Sequence, residues 1–228
     1  MKFIRLNITV EGQTEERFVK DTLAPHLGNF NISTDVRRVL TSKNKRKSYR
    51  GGLANYQKAK RDILFWLKED AHSEARFTTM FDLYALPNNF PSYKAAQNIK
   101  NPYEKVAFLE KAMEADINDK RFVAYIQLHE FESLVLCKPQ NLGYEYFEHE
   151  DAVHILQKVL EKYGNNAELI NEKIETAPSK RIENLIPGYD KVSVGATLAA
   201  LEGIDFLKSN CLHFKDWLEK LEKLSKEK

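Results

Sequence analysis

From Ile4 to Phe18 the chain reads as a strand that stops on an acid, turns at a glycine and opens a helix. Ile4, Leu6, Ile8 and Val10 alternate with Arg5, Asn7 and Thr9, which is the period of a strand. Gly12 follows Glu11 and suggests a turn that uses glycine's backbone freedom. Thr14 is the expected helix cap, and Arg17 three residues on leaves the capping box incomplete. Glu15 and Glu16 suit the positive end of a helix. Phe18, Val19, Leu23 and Leu27 continue an apolar helical stripe. Glu11 is therefore placed at the carboxyl end of a strand, where open α/β sheets hold ligands. The plainer alternative is a solvated turn acid.

The same alternation repeats downstream. Ile32 to Leu40 reads as a second strand and Asn55 to Asp70 as a helix with Tyr56, Ala59, Ile63, Trp66 and Leu67 on one face. Phe77 to Phe81 is a short apolar strand that ends at Asp82. Asp82 and Tyr84 share a face if the chain stays extended there. Pro87 and Pro91 then stop regular structure, and Asn88 to Tyr93 is an expected irregular loop. Pro102 to Ile117 is a further helix, and Phe122 to Leu128 a fourth strand running into His129-Glu130-Phe131-Glu132. Glu130 and Glu132 point the same way if the strand continues and diverge if a helix begins. Strands alternating with helices predict an α/β fold with a mainly parallel central sheet flanked by helices. Right-handed crossovers bring Glu11, Asp82 and Glu130 to one rim of that sheet. Helices are expected over 151–163, 166–176 and 197–201, and Phe214, Trp217, Leu218, Leu221 and Leu224 form a last stripe. Residues 1–135 thus read as the α/β core and 136–228 as an α-helical C-terminal extension packed on it.

A 228-residue chain with 43% hydrophobic residues can build a sizeable core, but its net charge of +2 names no partner. Local charge is more informative. No acid interrupts the run from Val36 to Gly52, which carries Lys43, Lys45, Arg46, Lys47 and Arg50. Mutual repulsion and a lack of apolar residues predict a mobile basic loop, either solvated or gripping a phosphate backbone with Tyr49 stacked on a base. Lys180 and Arg181 fall in the first turn of a helix starting near Pro178. Cations there oppose the helix dipole and call for an anion or a neighbouring acid. Cys137 and Cys211 lie far apart without metal-ligand spacing, which fits a reducing cytoplasm. The N-terminal apolar run is too short for a signal peptide or a membrane span, so a cytoplasmic protein without a membrane partner is expected. Phosphate-loop, Gly-x-Ser-x-Gly and His-Glu-x-x-His motifs are all missing.

Carboxylates from separate strands on one rim suit Mg2+ or Mn2+, which prefer hard oxygen ligands and relieve the repulsion between the acids. Val10-Glu11-Gly12-Gln13-Thr14-Glu15-Glu16, Phe81-Asp82-Leu83-Tyr84, Gln127-Leu128-His129-Glu130-Phe131-Glu132 and Thr176-Ala177-Pro178-Ser179-Lys180-Arg181 occur in that order. Together they resemble the bacterial TOPRIM-like proteins of domain-of-unknown-function family 4276. TOPRIM domains (of topoisomerases, primases and overcoming-lysogenisation-defect nucleases) hold magnesium with a Glu after the first strand and an Asp-x-Asp after a later one. The resemblance maps Glu11 to that Glu and Asp82 to the first Asp. Tyr84 stands at the second Asp, a departure that Glu130 or Glu132 would have to make good. It implies a metal-dependent nuclease of bacterial phage defence, with Glu11, Asp82 and Glu130 catalytic and Glu11, Asp82, Glu130 and Glu132 around the metal. Lys43, Lys45, Arg46, Lys47, Arg50, Lys180 and Arg181 would contact nucleic acid, DNA in preference to RNA. It further implies an ABC-type ATPase as partner. A non-catalytic subunit binding nucleic acid or that ATPase is the alternative, with primase-like phosphoryl transfer ranking last.

Overall fold

The computed structural model describes residues 2–44, 47–50, 53–171 and 176–226, with the side chains from 40 to 50 outside the description. β1 (Ile4–Val10) is followed by α1 (Gln13–Phe18), a π-helical turn (Val19–Leu23) and α2 (Ala24–Gly28). The π turn lies just before Pro25, which has no N–H and clashes with the carbonyl four residues back in a regular helix. β2 (Ile32–Arg38) pairs parallel with β1 from Ile4↔Ile32 to Val10↔Arg38. β3 (Leu40–Asn44) and β4 (Lys47–Arg50) then form an antiparallel hairpin of their own. The mobile loop expected here is thus corrected at Lys43, Lys47 and Arg50, whose backbones are in strands, while Lys45 and Arg46 fall outside the described residues. Backbone pairing between two short strands needs no apolar side chain, which is why composition misread it.

α3 (Tyr56–Glu69) is capped by Asn55, whose side chain accepts from Gln57 N at 2.8 Å. β5 (Ala75–Asp82) pairs parallel with β1 on its other side. A 3-10 turn (Leu83–Ala85) and the short α4 (Tyr93–Ala96) lead to α5 (Pro102–Ile117), which has Asn101 as cap and Pro102 in its first turn. The fourth strand is broken into β6 (Phe122–Val123) and β7 (Ile126–Gln127), both parallel to β5. At the break, Thr79 Oγ1 takes over from the ladder, donating to Tyr125 O at 2.9 Å and accepting from Tyr125 N at 3.0 Å. Carboxylates on α5 take the flanking amides: Glu114 accepts from Ala124 N at 3.0 Å and Glu110 from Ile126 N at 2.9 Å. The sheet therefore runs β2-β1-β5-β6/β7 and is parallel throughout.

The remainder is helical: α6 (Glu132–Val135), α7 (Leu142–Glu145), α8 (Glu150–Lys162), α9 (Pro178–Leu185), α10 (Ala196–Glu202), α11 (Ile204–Asn210) and α12 (Leu212–Lys223). The helix expected over 166–176 is replaced by a 3-10 turn (Ala167–Leu169) that ends at Ile170, and residues 172–175 lie outside the described residues. No helix among the described residues is long and apolar enough to cross a membrane.

Two cores sandwich the sheet, as a parallel sheet requires. One face puts Ile4, Leu6, Ile8 and Val10 against Phe18, Leu23 and Leu27, together with Leu134, Leu198, Phe214 and Leu218 from the later helices. The other face packs Phe77, Phe81 and Ile126 against Tyr56, Ile63 and Trp66 of α3 and Val106, Leu109 and Met113 of α5. Trp217 of α12 crosses to the first face. Its ring stacks on Tyr125 with centroids 4.1 Å apart, and its Nε1–H donates to Thr78 Oγ1 at 3.0 Å.

Candidate functional site

β1 and β5 are neighbours in register, with Val10 opposite Met80, so Glu11 and Asp82 leave the same end of the sheet side by side. Glu132 joins them because the chain turns sharply after β7. His129 takes a left-handed backbone (φ 62°), and α6 starts at Glu132. The helical alternative therefore holds, and the two acids diverge. Glu130 Oε2 accepts from Ser179 N at 2.9 Å in the first turn of α9, whereas Glu132 turns inward and is fully buried. Glu15, also buried, completes the group from the first turn of α1.

Gly12 caps α1 with an extended backbone (φ −131°, ψ −170°), so left-handed freedom is not why a glycine stands here. The reason is space. A Cβ at Gly12 would lie 2.8 Å from Glu15 Oε2, and that oxygen accepts from Gly12 N at 2.8 Å. Thr14, expected as the cap, lies inside the helix, its Oγ1 3.4 Å from Lys191 O.

The cation among these acids is Lys191. Its Nζ is 2.9 Å from Glu132 Oε2 and 3.7 Å from Asp82 Oδ2. It begins a π-helical turn (Lys191–Gly195) capped by Asp190, whose carboxylate accepts from Val192 N at 3.0 Å and Ser193 N at 2.9 Å. Arg17 Nη1 donates to Ser193 O at 2.6 Å and ties this turn to α1.

The electrostatics follow from burial. Burial and then the Glu15 charge push Glu11 up to about 7, against the pull of nearby backbone amides and Lys191. Burial pushes Glu132 up to about 7 despite its ion pair with Lys191. It raises Glu15 and Asp82 as well, Asp82 with further repulsion from Glu15, Glu11 and Glu132. Burial opposes the charge on Lys191, but Asp82, Glu132 and Glu15 outweigh it and hold the ammonium protonated. At neutral pH the cluster thus has more acid than its single lysine neutralises.

Hard oxygen chemistry here fits a divalent cation in kind. Three carboxylate oxygens of the cluster, Glu11 Oε2, Asp82 Oδ1 and Glu132 Oε1, are buried with no hydrogen-bond partner. Among the described residues no three His, Cys, Asp or Glu side chains are arranged to hold a metal ion; Lys191 stands between two of the acids instead.

Tyr84 does not share a face with Asp82, because the 3-10 turn over Leu83–Ala85 ends the extended run. Its ring lies against His129, with centroids 5.3 Å apart. Burial and then the nearby Glu130 carboxylate push its phenol upward, so Tyr84 stays neutral. Lys180 Nζ pairs with Glu183 Oε2 at 2.6 Å, and Arg181 Nε donates to Thr176 O at 2.8 Å. The anion required by the first turn of α9 is the Glu130 carboxylate. The basic hairpin is rooted at the acid rim. Val39 N donates to Val10 O at 3.0 Å where the hairpin departs, and Leu53, just beyond it, puts its backbone N–H against Glu11. Sequence reasoning missed Glu15 and Lys191. The spacing of Glu15 four residues after Glu11, across a strand-to-helix turn, was the available signal.

Residues 10–222 match the family described as domain of unknown function (DUF4276). A search of curated proteins gives no match. Two solved structures of the C-terminal region of the Xanthomonas campestris pv. campestris OLD protein are similar to the chain. The one phased with mercury shares 13% identity at a TM-score of 0.44, and the one phased with iodine 12% at 0.45; each alignment covers 99% of this chain and 98% of that chain.

Proposed function

The chain belongs to the DUF4276 family, and from its rim of buried acids we propose that it is a Mg2+- or Mn2+-dependent nuclease of the TOPRIM type. The observation that carries the reading is the convergence of Glu11, Glu15, Asp82 and Glu132 around one lysine at the carboxyl edge of a parallel sheet. Three buried carboxyls and a half-buried fourth with a single ammonium are costly as structure alone. With Lys191 displaced from between Asp82 and Glu132, the acids Glu11, Asp82 and Glu132 would hold the metal, and Glu130, fixed by Ser179 N at the start of α9, would support them. A divalent ion held there would supply Lewis-acid polarisation of a phosphate and an acidified water. Lys191 offers a positive charge to a phosphate drawn into the cluster. The hairpin rooted beside Glu11 and Val10 would carry the backbone of the nucleic acid through Lys43, Lys45, Arg46, Lys47 and Arg50, with Lys180 and Arg181 at a second edge. DNA as substrate, a role in phage defence and an ABC-type ATPase as partner rest on the family resemblance.

The second reading, a non-catalytic subunit that binds nucleic acid or a partner ATPase, is favoured by Tyr84 at the usual acid position and by Lys191 between Asp82 and Glu132. The test is cleavage of single- and double-stranded DNA and RNA with Mn2+, using wild type, Glu11→Gln and Asp82→Asn, alongside Mn2+ calorimetry. The nuclease reading expects cleavage by wild type only and loss of Mn2+ binding in folded variants. Nucleic-acid binding without cleavage of any substrate supports the subunit.

A further inference from the structure

The chain has two cysteines, 74 residues apart in sequence, and the fold brings them together. Cys137 follows α6, and Cys211 precedes α12 as its cap. Both are buried, and their Sγ atoms are 2.7 Å apart. That is closer than the roughly 3.5–4 Å at which non-bonded heavy atoms pack in a core. The sulfurs therefore need only a small side-chain movement to reach bonding distance, about 2.05 Å. Backbone hydrogen bonds fix both ends: Cys137 N donates to Leu134 O at 3.1 Å and Cys211 N to Leu207 O at 2.8 Å. Nothing in the acid cluster uses either thiol.

We propose that Cys137 and Cys211 form a reversible dithiol–disulfide couple, oxidised within one chain by a peroxide, that ties α6 to the start of α12. The chemistry balances in two steps. One thiolate attacks a peroxide oxygen; an S–O bond forms, the O–O bond breaks and the leaving hydroxide takes a proton to become water. The second thiolate then attacks the sulfenic sulfur; the S–S bond forms and the S–O bond breaks, releasing a second water. Two electrons pass from the thiols to the peroxide, and a small-molecule thiol reverses the change. The couple is slow. The hydrogen bond to Cys137, burial and the nearby Glu168 and Glu202 carboxyls push the Cys211 thiol up, so little thiolate is present at neutral pH. Glu202 is itself buried, with neither carboxyl oxygen hydrogen-bonded. The link matters to the fold because α6 carries Glu132 and α12 carries the Trp217 contact to the sheet.

The experiment treats the full chain with hydrogen peroxide, beside an unstructured cysteine peptide as oxidation control. The chain is then denatured, alkylated and analysed by intact mass and peptide mapping. The expected product is a monomer that has lost two hydrogens, takes no alkylating agent, and yields one linked peptide containing Cys137 and Cys211. Its Tm should rise by roughly 10 °C, since the bond closes a long loop, and dithiothreitol should return it to the starting value. Cys137→Ser and Cys211→Ser should each abolish both changes. Because a serine in the core could unfold the chain, the Ala variants and circular dichroism accompany them. Two alkylatable thiols remaining after the peptide is fully oxidised would overturn the proposal. So would a disulfide between chains, accumulation of sulfenic or higher acids without the linked peptide, or a linked product with unchanged or lowered Tm.

Discussion

Replacing Glu132 by Gln isolates the strain that the acid cluster imposes on the fold. Glu132 is fully buried, and its carboxyl is raised from 4.5 to about 7 by burial, against the ion pair with Lys191. A carboxyl whose folded pKa lies above its unfolded value binds its proton more tightly in the native state. The contribution of Glu132 to stability is then greatest below pH 4.5, where both states are protonated, and is lost as the pH rises through 7. At about 1.4 kcal/mol per tenfold change in proton affinity, the move from 4.5 to about 7 amounts to ~3 kcal/mol lost between pH 5 and pH 8. Gln keeps the shape and cannot ionise. The variant's profile should therefore be flatter than wild type's by about that amount. The assay is urea unfolding in EDTA, read from the fluorescence of buried Trp66 and Trp217, at several pH values. Other groups titrate in the same window. His129 is pushed down to about 4 by burial, so its contribution to stability grows as pH rises from about 4 towards its ordinary value near 6.5. His213 is raised by Glu110 over the opposing effect of burial and loses its contribution as pH rises through its folded pKa. Both are shared by the two proteins and cancel in the difference. Parallel profiles for wild type and Glu132→Gln would refute the reasoning.

Lys191→Met should raise Mn2+ affinity by about tenfold or more in calorimetry, since a positive charge 2.9 Å from Glu132 and 3.7 Å from Asp82 competes with any divalent ion there; a weaker affinity would show that the lysine supports the metal. Gly12→Ala should displace the buried Glu15 carboxylate, because the new methyl would stand 2.8 Å from its oxygen. Its mark is a stability loss of about 0.5–1.5 kcal/mol in urea unfolding, the worth of the Gly12 N–H to Glu15 hydrogen bond that the shifted carboxylate gives up, and a wild-type midpoint would remove the steric argument. Replacing Lys43, Lys45, Arg46 and Lys47 together by Ala should lower the log–log salt slope of nucleic-acid binding by about 0.7 to 0.9 for each phosphate the hairpin no longer neutralises, and an unaltered slope would return the hairpin to a solvated role. Trp217→Phe should cost about 1–3 kcal/mol by leaving the buried Thr78 hydroxyl without the indole donor, a loss that denaturant unfolding followed by circular dichroism would register.

The sheet was legible because its signals are local. β1 shows strict alternation, α3 and α5 carry their own Asn caps, and α5 begins with proline where proline is tolerated. Each required only neighbours in sequence. The broken fourth strand was not legible, because what replaces its ladder comes from elsewhere: Thr79 on β5 and Glu110 and Glu114 on α5 satisfy the amides. The hairpin was hidden by its charge, and the α9 start looked like an unclaimed anion site because Glu130, 49 residues earlier, fills it. Glu11 and Asp82 could be placed together from strand order alone. Lys191 could not, since nothing near it in sequence marks it as the partner of acids on two other elements.

That lysine changes how the acids should be understood. An acid cluster on a sheet edge is an invitation to water or metal only while its charge is unbalanced. Here one ammonium meets two of four carboxyls, and burial raises all four, so the remaining charge is relieved by holding protons. A divalent ion and a proton are then rivals for the same oxygens. Metal affinity should rise steeply as the pH passes about 7, the value to which Glu11 and Glu132 are both raised, because each must give up its proton before it can coordinate. Calorimetry with Mn2+ at pH 6 and pH 8, repeated in two buffers of different ionisation enthalpy, counts the protons released. Release of one or more protons per ion at pH 6, falling towards zero at pH 8, is the expected result; binding that is independent of pH would mean the ion uses other oxygens.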